Sequence, residues 1–171
     1  RGLGDVYKRQ ITYKAKNIVL DPVMVSTSGS RLMKEDAAEV LKERLMVLAD
    51  VITPNIPETE VLTGMTVDSA DSMEKAAIKI YENLKSKCGH AAVLVKGGHA
   101  VHTANDCLCV DGSIVWLNGE RIDNPNTHGT GCTLSSAIAA NLAQGLSIEE
   151  SVKAAKEYLT CLLYTSDAAD D

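Results

Sequence analysis

The sequence predicts an α/β protein in which a mostly parallel sheet carries helices on both faces and gains a late antiparallel hairpin. Three observations support this. Short apolar, β-branched runs at Asn17–Leu20, Val51–Thr53 and Ala92–Val95 alternate with longer segments of helical period, a pattern that builds parallel strands covered on both sides. Asp111-Gly112 lies between two further apolar runs, as the two-residue turn of a hairpin does. A chain of 171 residues has room for one domain with a real core.

Each element has a local reason. Ile18-Val19-Leu20 reads as a buried strand ending at Asp21-Pro22. Lys34–Leu48 sets Ala37, Val40, Leu41, Leu45 and Leu48 at helical spacing with charges between them. Val51-Ile52-Thr53 is a second strand, stopped by Pro54. Pro57 then suits the first turn of a short helix that reaches Leu62 and ends at Gly64. Ser72 can cap a longer helix from Met73 to Lys87, stopped at Gly89. Ala92–Val95 is the third buried strand and runs into Lys96-Gly97-Gly98. Cys107–Val110 and Ile114–Leu117 flank the hairpin turn, and Glu120–Ile122 is strand-like. After a loop at Asn124–Gly129, an Ala- and Leu-rich helix runs from Thr130 to Gln144 and stops at Gly145. Ser147 and Glu150 form a capping box for the last helix.

Composition narrows the function classes. No apolar run approaches the roughly 20 residues that cross a bilayer. A net charge of −6 without a basic stripe argues against nucleic acid as a main partner. Five cysteines, at 88, 107, 109, 132 and 161, lack the spacing of a disulfide framework and imply free thiols in a reducing, cytoplasmic setting. RGLGDVYKRQ at the start and CLLYTSDAADD at the end do not continue the patterns beside them. They read as translated adapter sequence, which makes residues 1–10 and 161–171 non-native tails and Ile11–Thr160 the native stretch.

Ligands of parallel sheets bind at the carboxyl ends of the strands, so functional residues should gather after Leu20, Thr53 and Val95 and at the loop before Thr130. That loop, Asn126-Thr127-His128-Gly129-Thr130-Gly131-Cys132-Thr133, is the strongest signal. Two glycines allow close backbone approach, and a helix start offers N–H groups and a positive dipole end to an anion. The residues alone fit equally a glycine-rich turn with a buried small thiol. Asp21, at the end of the first strand, suits a metal ion or its waters near phosphates, or a turn. Glu58 and Asn55, in Thr53-Pro54-Asn55-Ile56-Pro57-Glu58, suit the same purpose or an acidic first helical turn. Lys96, followed by two glycines, offers a point charge for a phosphate, or is an ordinary exposed lysine.

Together these motifs resemble the hydroxymethylpyrimidine/phosphomethylpyrimidine kinases of thiamine biosynthesis, within the ribokinase-like superfamily. The resemblance runs through Ile11–Thr160: Leu20-Asp21-Pro22-Val23-Met24, Asn55-Ile56-Pro57-Glu58, Lys96-Gly97-Gly98-His99 and the Asn126–Thr133 loop occur in the family's order. It implies a ribokinase-like fold and ATP-dependent phosphorylation of 4-amino-5-hydroxymethyl-2-methylpyrimidine and of its monophosphate. Asp21 and Glu58 would organise Mg²⁺, and Lys96, Asn55 and Thr127 would meet the nucleotide. Val23 would line the pyrimidine pocket, and Gly129, Thr130 and Gly131 would form the anion hole. Cys132 stands where most of the superfamily has an aspartate base, and would act as base or positioning group. The family's glycine-rich first strand and further βα units have no counterpart here, so the resemblance covers the carboxy-terminal part of one domain and implies little turnover by this chain alone. A homodimer is left open.

Other readings of the same residues are a pyridoxal kinase of the cysteine-containing type and a non-catalytic nucleotide- or partner-binding module. Zinc held by His99, His102, Cys107 and Cys109 has the wrong spacing. A Cys132–His128 hydrolase pair lacks an orienting acid.

Overall fold

The computed structural model describes residues 2–25, 32–97, 105–119 and 129–167. Helix α1 (Gly2–Tyr13) leads into strand β1 (Val19–Leu20). Helix α2 (Glu35–Val40) continues through a π-helical turn, Leu41–Leu45, and a 3₁₀ turn, Met46–Leu48, to β2 (Val51–Ile52). Helices α3 (Ile56–Thr63) and α4 (Ala70–Ser86) cross over to β3 (Ala92–Val95). The hairpin strands β4 (Asp106–Val110) and β5 (Ser113–Leu117) follow, then α5 (Thr130–Ala143) and α6 (Ile148–Asp167).

The strands form one five-stranded sheet in the order β1-β2-β3-β4-β5. The first three are parallel, with Leu20 opposite Ile52 and Ile52 opposite Val93; β4 and β5 add antiparallel. This is the predicted α/β architecture, its parallel half and its hairpin half each supplying two pairings. Asp111 (φ 51°) and Gly112 (φ 79°) make the hairpin turn, both left-handed as a type I′ turn requires.

Side chains alternate across the sheet with the two-residue period of strands, so each face builds its own core. Ile52, Val93, Val95, Cys107 and Cys109 pack with Leu41, Leu45 and Met46 and with Met73, Ala77, Ile80 and Leu84 of α4. Val51, Ala92, Leu94 and Leu108 pack with Leu134 and Ile138 of α5 and Val152 and Ala155 of α6. Cys107 and Cys109 are buried core residues, and burial, reinforced by the nearby carboxylate of Glu74, pushes the Cys107 thiol up to about 12. His99 and His102 lie outside the described residues, as do Glu120–Ile122 and the loop from Asn124 to His128. All five cysteines are free. Among the described residues no helix is long and apolar enough to cross a membrane.

Two expectations change in detail. The predicted helix Lys34–Leu48 is not regular: a π turn carrying Leu41 and Leu45 and the 3₁₀ turn that starts at Met46 together bring these three residues into the core, each 3% exposed. Helix α4 starts three residues earlier than predicted. Its cap is Ser69, whose Oγ accepts from the Ser72 N–H, while the Ser72 Oγ accepts from the Ser69 N–H. Ser72 thus fills the N3 position of a capping box, where Glu or Gln is the usual signal. Helix α1 spans Ile11 and α6 spans Thr160, so regular structure runs across both of the predicted tail boundaries.

Ser69→Ala is expected to destabilise the chain by about 1 kcal/mol, the typical cost of a lost helix cap. Urea unfolding should show a lower midpoint at unchanged slope; an unchanged midpoint would mean that the reciprocal Ser69–Ser72 pair contributes nothing.

Candidate active site

Parallel register sets Asp21 level with Thr53 and carries β3 two residues further, so that Lys96 is level with Asn55. The residues that follow β1, β2 and β3 are Asp21, Thr53 and Lys96, and they meet. Lys96 Nζ donates to Asp21 Oδ1 at 2.9 Å, and Thr53 Oγ1 donates to the same oxygen at 3.2 Å. The ion pair is largely enclosed, with side chains 18% and 16% exposed. Thr53 is 1% exposed. The Lys96 backbone is held as well: its N–H donates to Pro54 O at 2.9 Å, and Lys96 pairs with Asn55 in an isolated parallel bridge.

Helix α5 opens directly onto this pair. Its N-cap is Gly129, at φ 85° and without a capping side chain. Glycine adopts that left-handed conformation without the penalty a Cβ brings. Gly131 sits closer still. A Cβ there would lie 3.3 Å from Asp21 Oδ2 and 3.4 Å from Lys96 Nζ, so the missing side chain lets the first turn of α5 rest on the ion pair. A lysine ammonium and a helix amino-terminus converge at one point, the arrangement that binds phosphate.

Glu58 lies beneath. It is 2% exposed, and its Oε2 accepts from the Asn55 N–H at 2.9 Å while Asn55 Oδ1 accepts from the Glu58 N–H at 2.8 Å. This capping box fixes the start of α3. Burial pushes the Glu58 carboxyl above its ordinary 4.5; the Asn55 N–H and then the Lys96 charge oppose the shift, Asp21 adds to it, and a Met24 N–H opposes it.

The predicted residues Asp21, Lys96, Gly131, Asn55 and Glu58 therefore form one cluster. Cys132 is exposed in the first turn of α5 rather than buried in a turn. It heads an open groove of about 630 Å³ that continues along Ser136 and Ala140 of α5 and is flanked by Ala154 and Tyr158 of α6. Val23 stands 48% exposed just beyond Asp21. Thr127 and His128 lie outside the described residues. Among the described residues no three His, Cys, Asp or Glu side chains converge. Thr53 escaped the sequence reading. No local signal marks it: a threonine level with Asp21 can reach it, and strand level follows from register and not from sequence.

Comparison with known proteins places the chain in a family. A family model described as phosphomethylpyrimidine kinase matches residues 4–169. The hydroxymethylpyrimidine/phosphomethylpyrimidine kinase of Haemophilus influenzae is 39% identical over 151 residues, which are 85% of this chain and 54% of that protein. A crystal structure of phosphomethylpyrimidine kinase from Clostridium difficile superposes with a TM-score of 0.77 at 37% identity, covering 92% of this chain and 62% of that one. An ADP complex of Bacillus subtilis pyridoxal kinase gives 0.79 at 37% identity, covering 92% and 57%. The chain thus spans about half the length of the curated relatives it matches.

The raised carboxyl of Glu58 has a consequence for stability. A group that holds its proton more tightly when folded stabilises the fold most below its unfolded value of 4.5. That contribution falls as pH rises through the window above 4.5. Glu58→Gln removes the titration, so the stability difference between variant and wild type, measured by urea unfolding with EDTA present, should shift in the variant's favour from about pH 4 to about pH 7. A difference that stays constant across that range would contradict the shift.

Proposed function

The chain belongs to the phosphomethylpyrimidine kinase family, and from that premise we propose that it carries the phosphoryl-transfer site of an ATP-dependent kinase for 4-amino-5-hydroxymethyl-2-methylpyrimidine and its monophosphate. The observation that carries this reading is Gly131, whose lack of a side chain seats the start of α5 on the Asp21–Lys96 pair. Phosphoryl transfer asks a protein chiefly for positioning and charge stabilisation. Lys96 would steady the nucleotide phosphates. The N–H groups of Gly129, Thr130 and Gly131 would hold the charge that develops on the transferring group. Asn55 and Thr127 would contact the nucleotide side. Asn55 Oδ1 is committed to its cap, which leaves the amide NH₂ as the part of that side chain able to donate.

The donor set fits Mg²⁺, which is held by one or two carboxylates and phosphates and keeps several waters. Asp21 would hold it, with Glu58 behind as a second carboxylate within reach of the same field. When bound, the ion would neutralise charge on the phosphates. Val23, exposed and apolar beside Asp21, would meet the pyrimidine ring, and Cys132 would stand at the accepting hydroxyl as base or positioning group. Ile11–Thr160 would be the stretch that carries the kinase residues; a chain cut to those bounds should keep the nucleotide affinity of the 171-residue chain.

A pyridoxal kinase is the second reading. Pyridoxal kinases from Bacillus subtilis and Staphylococcus aureus are among the superposable structures, and both substrates are hydroxymethyl heteroaromatics. Side-by-side assays of a kinase spanning the relatives' full length, on the pyrimidine and on pyridoxal with product masses read directly, separate the two.

Lys96→Ala is expected to weaken ATP binding, measured by calorimetry with Mg²⁺, at least about tenfold, the scale of a lost charge-assisted contact. Absence of ATP binding by the wild-type chain at millimolar concentration would sink the kinase reading. In a kinase that spans the full length of the relatives, Cys132→Ala should leave ATP affinity within about twofold while phosphoryl transfer to either alcohol is lost. Transfer at the wild-type rate would remove Cys132 from the reaction.

A further inference from the structure

Behind Lys96 lies a second, separate charge pair. The register that sets Val95 opposite Cys107 puts Asp106, the first residue of β4, opposite Lys96. Asp106 is 8% exposed and uses its two oxygens for different donors. Oδ1 accepts from the Gly97 N–H at 2.9 Å, and Oδ2 accepts from Lys156 Nζ, on α6, at 2.7 Å. Lys156 Nζ also donates to Leu117 O, at the end of β5, at 3.0 Å. Gly97 itself has no latitude: a Cβ there would stand 2.0 Å from Asn105 O. The backbone on either side of the Lys96 side chain is therefore pinned, its own N–H by Pro54 O and the next N–H by Asp106.

A buried ion pair is weak evidence for stability, because apolar residues of similar size often do as well. The pair needs another reason, and its geometry supplies one. We infer that Asp106, held in orientation by Lys156, is a positioning residue for Lys96: its Oδ1 fixes the Gly97 N–H and so aims the ammonium at the phosphate site. This inference rests on the reading of Lys96 as a nucleotide contact.

Two double variants isolate the acceptor oxygen. Asp106→Asn/Lys156→Met removes both charges and keeps an oxygen for Gly97, whereas Asp106→Leu/Lys156→Met removes both charges and that oxygen. Apolar replacement of a buried pair is commonly tolerated; should the Leu/Met pair fail to fold by circular dichroism, Asp106→Ala/Lys156→Met takes its place. The readouts are the Lys96 ammonium resonance of ¹⁵N-labelled chain and ATP affinity by calorimetry. The Asn/Met pair is expected to keep the wild-type resonance and affinity. The Leu/Met pair should shift or broaden the resonance and weaken ATP about tenfold. A folded Leu/Met pair with the Asn/Met resonance overturns the inference, as does a shifted resonance with unchanged ATP affinity. If wild type binds no ATP while the resonance still separates the two variants, the nucleotide reading fails and the positioning of Lys96 by Asp106 stands.

Discussion

The bond between Lys96 and Asp21 joins residues 75 positions apart, and the fold on this side of the sheet is arranged around it. For the two side chains to meet, the first and third parallel strands must end at compatible heights across the strand between them. The register meets that condition. Leu20 pairs with Ile52 and Ile52 with Val93, so β3 runs on past the level at which Pro54 interrupts β2. Pairing resumes once, at Asn55 and Lys96. Thr53 fills the gap by donating to the carboxylate oxygen that the lysine uses. An enclosed pair of this kind needs every lone pair and proton met, and the threonine is part of how that is done.

The site balances charge on a small scale. On one side stand the Lys96 ammonium and the start of α5; on the other stand the carboxylates of Asp21 and Glu58. Glu58 shows how two readings of one motif can both hold. Asn55 and Glu58 form a reciprocal helix cap, which is the ordinary explanation of an acidic residue in a first turn. The same cap is what keeps Glu58 buried close enough to Lys96 and Asp21 for their charges to act on it. The structural bond and the electrostatic one belong to the same carboxylate.

Much of this was legible in the sequence. Strand runs, the Asp111-Gly112 turn, the glycine stops at 64 and 145 and the Ser147–Glu150 cap are local signals, and local signals survive folding. Asp21, Glu58, Lys96 and Gly131 could be chosen because each sits at a strand end or helix start, where unpaired groups collect. What stayed hidden depends on distance or on a small difference in backbone. The π turn at Leu41–Leu45 departs from a regular helix by one step in its backbone hydrogen bonding, which the apolar spacing does not encode. The Ser69 cap uses a serine where a glutamate is the expected partner. Thr53 meets Asp21 from 32 residues away, and Lys156 meets Asp106 from 50. No pattern along the chain announces such pairs.

The hairpin changes standing in this light. In a parallel-sheet reading β4 and β5 are an addition at the edge. Without them β3 would be an open edge, its outward N–H and C=O groups unpaired, and the chain beyond Val95 would have nothing to leave against. With them the ladder runs through Val95 and Cys107 and then changes partner: the next N–H, that of Gly97, goes to the side chain of Asp106 instead of to backbone. That substitution lets the chain turn off the sheet at the residue whose side chain must face the strand ends. It also ties the turn to α6 through Lys156. The helix that closes one core and the hairpin that widens the sheet thus act on the same ammonium group, from the side opposite to Asp21.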